Sequence, residues 1–133
     1  MGYYSEVVIF CAPKAYKKIS KVCDEHRFKP DEDLLNKSNG NHALHWAYLK
    51  WYDTFIEVSS VMKALRELDD TDDDDDDFAY RYIRIGEELC DVEDKFNDQG
   101  YYEFSEAGLR VEIEIEIPTA YEKGVMPKCV TTQ

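Results

Sequence analysis

Eight of the nine residues from Asp69 to Asp77 are aspartate. Mutual repulsion and poor intrinsic propensity keep such a run out of helices and strands. The segment 69–77 is therefore expected to be a flexible acidic loop, and it marks a lopsided distribution of charge. Residues 1–50 carry eight Lys/Arg and six Asp/Glu, whereas residues 51–133 carry eight Lys/Arg and twenty-three Asp/Glu. The net charge of −13 is thus +2 in the first stretch and −15 in the second. Such a field repels nucleic acid and anionic membranes and attracts basic surfaces.

With 133 residues, 44% of them hydrophobic, the chain is sized for a single domain, 1–133, with its own core and no need of a metal or a staple. Met1 to Phe10 has no basic start and is interrupted by Glu6, so no signal peptide is read there. No run approaches the ~18 apolar residues of a membrane span. A cytoplasmic protein is expected. Cys11, Cys23, Cys90 and Cys129 are scattered without a Cys-x-x-Cys pair. Reduced thiols are expected, with Cys11 and Cys23 in the core.

Periodicity gives the elements. Tyr3 to Cys11 is rich in β-branched and aromatic residues and reads as a buried strand. Pro13 opens an amphipathic helix to about Arg27, with Tyr16, Ile19, Val22 and Cys23 on one face and Lys14, Lys17, Lys18 and Lys21 on the other. The stretch from Lys29 to Asn41 reads as loop. His42 to Tyr52 reads as a strand. Thr54 and Glu57 have the spacing of a capping box, and Phe55, Val58, Val61, Met62, Leu65 and Leu68 form a helical stripe. Phe78 to Ile85 is a strand of strong β-formers. Gly86 to Gly100 is acidic and irregular, and Tyr101 to Phe104 reads as a short strand. Gly108 marks a turn. Arg110 to Ile117 alternates strictly, placing Glu112, Glu114 and Glu116 outward. Pro118 ends it, and 119–133 is expected to be a loosely ordered tail. The expected fold is α+β: one mixed or antiparallel sheet of four to five strands with two helices packed on one face.

No catalytic chemistry is legible. There is no nucleophile elbow, and the six glycines form neither a phosphate loop nor a dinucleotide fingerprint. His42 and His45 lie on one strand at a spacing that points them to opposite faces, and His26 is alone, so no zinc set exists. Asp72, Asp74 and Asp76 alternate like an EF-hand start, but Asp77 stands where Gly is needed and Ile83 where Glu is needed. Neighbouring acids such as Glu87 and Glu88 arise readily in so acidic a chain. A non-enzymatic protein without cofactor or metal is expected. The lysines of the first helix read as a solvated face rather than a nucleic-acid patch.

Binding is the remaining function class. The candidate partner-binding residues are Asp69, Asp70, Asp72, Asp73, Asp74, Asp75, Asp76 and Asp77 in the loop; Glu87, Glu88, Asp91, Glu93 and Asp94, with Asp98, after the following strand; and Glu112, Glu114 and Glu116. Alternate strand residues lie ~6.6–6.8 Å apart, a ruler of negative charge about as coarse as a nucleic-acid backbone. Trp46, Tyr48, Trp51 and Tyr52 cluster as interface-type aromatics, for which a core role is the competing reading.

His45-Trp46, Lys50-Trp51-Tyr52-Asp53, Arg81-Tyr82-Ile83-Arg84-Ile85-Gly86-Glu87 and Asp91-Val92-Glu93, with the helix between, cover about a third of the chain. These strings resemble small acidic phage and prophage accessory proteins, a group that includes anti-restriction DNA mimics and anti-CRISPR proteins. The resemblance implies a mobile-element origin. The near-neutral first third departs from a dedicated DNA mimic and implies partial mimicry. The expected function is an acidic inhibitory binding protein that blocks a nucleic-acid-binding host defence enzyme or complex. The alternative is an immunity or antitoxin protein that neutralises a nuclease toxin. In either case the partner is a protein with a basic nucleic-acid-binding surface, and neither nucleic acid nor membrane is bound directly.

Overall fold

A computed structural model of the chain describes residues 2–70, 76–88, 90–105, 108–109 and 115–123. The elements run β1 (Ser5–Cys11), α1 (Pro13–Glu25), β2 (Glu32–Asn36), β3 (Asn41–Leu49), α2 (Ile56–Asp69), a 3-10 turn (Asp76–Phe78), β4 (Tyr80–Gly86), β5 (Val92–Phe96), α3 (Asp98–Glu103), β6 (Gly108–Leu109), β7 (Ile115–Glu116) and β8 (Tyr121–Lys123). Six strands form one antiparallel sheet in the order β5-β4-β1-β3-β2-β8, and β6 pairs with β7 apart from it.

The α+β class holds, but the sheet has six strands rather than four to five. β1 lies between β3 and β4 and is antiparallel to both. The unit β1-α1-β2-β3-α2-β4, with spatial order β4-β1-β3-β2, has the split β-α-β connectivity of ferredoxin-like folds. β5 and β8 extend it at the two edges.

β1 explains why the two sides of the sheet differ. Successive strand residues face opposite sides. Val7, Ile9 and Cys11 join Leu44, Trp46, Tyr80 and Tyr82 beneath the apolar stripes of the helices: Ala15, Ile19 and Cys23 from α1, Val58, Val61, Leu65 and Leu68 from α2. Both long helices therefore cover one face, as the sequence implied. Val8 and Phe10 point the other way, to Ala43, Ile83, Phe104 and Ile115. Ile117 and Tyr121 pack against this second cluster. The second face is thus partly roofed by the chain's own C-terminal half. Removing a side chain such as Phe10 or Ile9 from water contributes about 1.5–3 kcal/mol.

Several expectations are corrected. β2 lies inside the stretch read as loop. It pairs with β3 through a turn in which Gly40 takes φ +81, a conformation that suits glycine. Thr54 does not cap α2. The N-cap is the extended Phe55, whose side chain accepts no hydrogen bond, and whose ring packs on Tyr52 with centroids 5.1 Å apart. The acidic stretch after Gly86 contains an ordered strand, β5, paired with β4. Tyr101 to Phe104, read as a strand, is the end of α3 and its C-cap. Four residues of the expected acidic loop lie in other elements: Asp69 ends α2, Asp70 is its C-cap, and Asp76 and Asp77 belong to the 3-10 turn. The tail begins with an ordered strand, Tyr121–Lys123, which pairs with β2. Residues 71–75, 110–114 and 124–133 lie outside the described residues.

Candidate interaction surface

The acidic hairpin β4–β5 forms one edge of the sheet. Arg84 stands opposite Glu93 in the ladder, and its guanidinium serves two carboxylates. Nη2 donates to Asp91 Oδ1 at 2.7 Å, and Nε donates to Glu93 Oε1 at 3.1 Å. The Tyr82 hydroxyl adds a bond to Glu93 at 2.7 Å, and the Tyr3 hydroxyl donates to Asp91. Arg84, followed by Tyr3, holds Asp91 below the usual carboxylate range. Burial pushes Glu93 up, but Tyr82 and Arg84 together outweigh it and leave its pKa lowered. On the other face, Arg81 makes a two-pronged pair with Asp94, Nε to Oδ1 at 3.0 Å and Nη2 to Oδ2 at 2.7 Å. Three candidate partner-binding acids, Asp91, Glu93 and Asp94, are therefore already paired with arginines of their own hairpin.

The other candidates fall into two groups at opposite ends of β4. Glu87 and Glu88 are exposed just past its last residue, where Glu87 Oε2 accepts the Tyr4 N–H at 2.8 Å. Asp69, Asp70 and Asp77 lie near its first residue. Asp69 Oδ1 accepts the Tyr80 hydroxyl at 2.8 Å, and burial followed by that bond raises the Tyr80 pKa. Asp70 and Asp77 are exposed. A strand rises ~3.4 Å per residue, so the seven residues of β4 separate the two poles by roughly 20 Å. Asp76 contributes backbone to the 3-10 turn, and Glu116 pairs through its backbone with Gly108. Asp72 to Asp75, Glu112 and Glu114 lie outside the described residues.

Beside the Asp69 pole, the structure builds an aromatic corner that periodicity did not reveal. Asn97 caps α3. Its Oδ1 accepts from Gly100 N at 2.9 Å and Tyr80 N at 3.2 Å, while its Nδ2 donates to the Phe78 carbonyl at 2.8 Å. Gly100 lies so close to β4 that an added Cβ would overlap the Tyr80 carbonyl oxygen. This tight docking leaves Tyr101 57% and Tyr102 77% exposed, next to Phe96, which is 41% exposed. Their ring centroids follow at 5.5 Å and 5.0 Å. Arg81 braces the corner: Nη1 donates to the Phe104 carbonyl at 2.9 Å, and the guanidinium lies 5.9 Å from the Phe96 ring centroid. A cleft of about 330 Å3 opens between Arg81, Phe96, Tyr101, Tyr102 and Ser105.

Two histidine clusters also escaped sequence reasoning. His45 Nε2 contacts Glu6 Oε2 at 2.8 Å, and Nδ1 faces Glu32 Oε1 at 3.5 Å. The Glu6 bond outweighs burial and raises the His45 pKa. His42, on the opposite face, contacts Asp33 at 2.7 Å and stacks on Tyr16 with centroids 3.5 Å apart. Asp33 also accepts the Tyr16 hydroxyl at 2.6 Å. A cleft of about 250 Å3 lies beside this cluster and is lined in part by Cys23. Burial pushes the Cys23 thiol up to about 12, so it stays protonated at neutral pH and is a poor nucleophile. Cys11 is buried and raised for the same first reason. Among the described residues no group of three or more His, Cys, Asp or Glu is placed to hold a metal ion.

The aromatics proposed from sequence divide. Trp46 and Trp51 are buried and stack with Phe28 in the core, whereas Tyr48 is exposed beside Tyr4. Of the lysines on α1, Lys18 pairs with Glu67 at 2.6 Å, and Lys14 lies 5.4 Å from the Phe78 ring centroid. No helix among the described residues is long and apolar enough to cross a membrane. No family model, no curated protein and no solved structure matches this chain.

Proposed function

We propose that this chain is an acidic inhibitory binding protein, not an enzyme. It covers the basic nucleic-acid-binding surface of a nuclease or CRISPR-type effector by partial mimicry of nucleic acid, and it acts in the cytoplasm. The observation that carries this reading is the −15 charge of residues 51–133. Two exposed acidic poles, one at each end of β4, add to it. A basic channel evolved for phosphates is complementary to such spaced carboxylates, and long-range attraction speeds the encounter.

The test is affinity for a panel of restriction nucleases, CRISPR effectors and nuclease toxins. Two charge-reversed variants are compared with the parent. One carries Glu87→Lys and Glu88→Lys together with Glu112→Lys, Glu114→Lys and Glu116→Lys. The other carries Lys17→Glu and Lys21→Glu on α1. Binding should weaken at least about tenfold in the first variant and change little in the second. The opposite pattern would make α1 the interface and end the proposal. Binding to a nuclease toxin alone would favour an immunity protein over an inhibitor of host defence.

A further inference from the structure

We infer that the aromatic corner formed by Phe96, Tyr101 and Tyr102 is the anchor of the interface, and that it receives arginine side chains of a basic protein partner. The inference deepens the proposed function and rests on it for the class of partner.

Exposure is the first support. Two adjacent tyrosines and a phenylalanine, 57%, 77% and 41% exposed, form one run of rings at the edge of the sheet. Tyr and Trp are the usual anchors of protein interfaces, and an exposed cluster is more informative than single exposed apolar residues. Rigidity is the second. Asn97 ties α3 to Phe78 and Tyr80, Gly100 brings it against β4, and Arg81 joins Asp94 to the Phe104 carbonyl. A surface already ordered loses little conformational freedom on binding.

Charge identifies the occupant. The exposed Asp98 starts α3, three residues before Tyr101, on a molecule of net charge −13, whereas both oxygens of Asp94 are already taken by Arg81. Exposed rings on a strongly acidic molecule, with one carboxylate on the same short helix, suit a guanidinium, which stacks on a ring while its N–H groups meet the acid. Arg81 already takes up such a position within the molecule, between Phe96 and Asp94. A second copy of this chain is a poor occupant, since two molecules of net charge −13 repel. A nucleic acid is excluded on the same ground.

The experiment compares an oligoarginine peptide with an oligolysine peptide of equal length as probes for the intact protein. Titrations use the parent and the double variant Tyr101→Ser, Tyr102→Ser, with circular dichroism and melting temperature as folding controls. A single-residue control, Tyr48→Ser, removes an exposed tyrosine elsewhere. The parent should bind oligoarginine about fivefold more tightly than oligolysine. The double variant should lose most of that preference while retaining oligolysine affinity, and Tyr48→Ser should keep it. An unchanged preference in the double variant overturns the anchor but leaves the acidic-surface reading intact. Failure of the parent to bind either peptide at low salt overturns both. A parent that is dimeric in sedimentation and becomes monomeric in the double variant makes the corner a self-interface and also overturns the inference.

Discussion

The acids held by arginines across the β4–β5 ladder and the acids at the two ends of β4 do different things. Within the hairpin, Asp91, Glu93 and Asp94 are bound by Arg84 and Arg81, with Tyr3 and Tyr82 assisting. At the two ends of β4, Glu87, Glu88, Asp70 and Asp77 are exposed, and among the described residues no arginine pair across the ladder holds Glu87, Glu88 or Asp70. Number of acids and availability of acids are therefore separate quantities. Pairing makes a short, charged strand stable at a sheet edge, where charge also discourages unwanted strand pairing.

The sharpest way to break the contrast is Arg84→Ala. The Arg84 side chain is 13% exposed and serves both Asp91 and Glu93. Hydrogen bonds to charged groups contribute about 1.5–3 kcal/mol, and the bared carboxylates would repel one another. A loss of about 2–3 kcal/mol is expected in urea denaturation, against almost none for Glu87→Ala and Glu88→Ala. Equal, small effects would mean that the hairpin pairs are as dispensable as surface ones.

Asn97→Ala addresses the corner. It removes a cap and the bonds to Tyr80 and Phe78, so about 1–2 kcal/mol should be lost. Tyrosine accessibility to a collisional quencher should change as α3 loosens. A variant with parental stability would show that α3 is held by packing alone.

His45 gives a smaller effect with a definite sign. Its pKa in the folded protein is raised, chiefly by Glu6. The stabilisation is therefore fully present below the unfolded value of about 6.5 and is lost as pH rises through the folded value. Asp91 and Glu93 are lowered, and their contribution is lost instead as pH falls through their folded values. Stability should therefore fall on both sides of mildly acidic pH. His45→Gln should flatten the decline on the alkaline side, seen as melting temperature against pH between about 5.5 and 8.5. A parent whose stability climbs through that range would contradict the assignment.

The smallest effect belongs to the aspartate run. Replacing Asp72 to Asp75 with serine should leave the melting temperature equal or slightly higher, because like charges are removed from a segment expected to be a loop. A large loss would mean that these residues dock on the fold.

What sequence disclosed and what it hid follow one physical line. Elements that bury an apolar face were legible: β1, α1, β3, α2 and β4 were all found, because burial imposes a period of two or of 3.6 on the residues. The strands outside the β4-β1-β3 centre were not. Glu32–Asn36 is held between β3 and β8 and Val92–Phe96 by β4, each with ion pairs to its neighbour, so their charged sequences carry little hydrophobic pattern. One signal was available for β2: Asn39-Gly40 between two short runs is a hairpin turn signature. For α3, Tyr101 and Tyr102 suggested a strand by propensity, while Asn97 followed by a helical turn was the competing cap signal. The candidate acids were legible as a class, but their partners were not. Arg81 and Arg84 reach Asp94, Asp91 and Glu93 only because the hairpin folds back, and single-sequence periodicity does not encode that pairing.

A protein that mimics nucleic acid must compete with it for one basic surface. The direct measurement is equilibrium binding to a purified restriction nuclease, CRISPR effector or nuclease toxin from the panel, at about 50 mM and about 300 mM salt, with and without duplex DNA. At least one of these proteins should be bound, with affinity dropping by about tenfold or more at the higher salt, and DNA should displace the complex. Binding indifferent to both salt and DNA, or no binding to any basic nucleic-acid-binding protein tested, would contradict such mimicry.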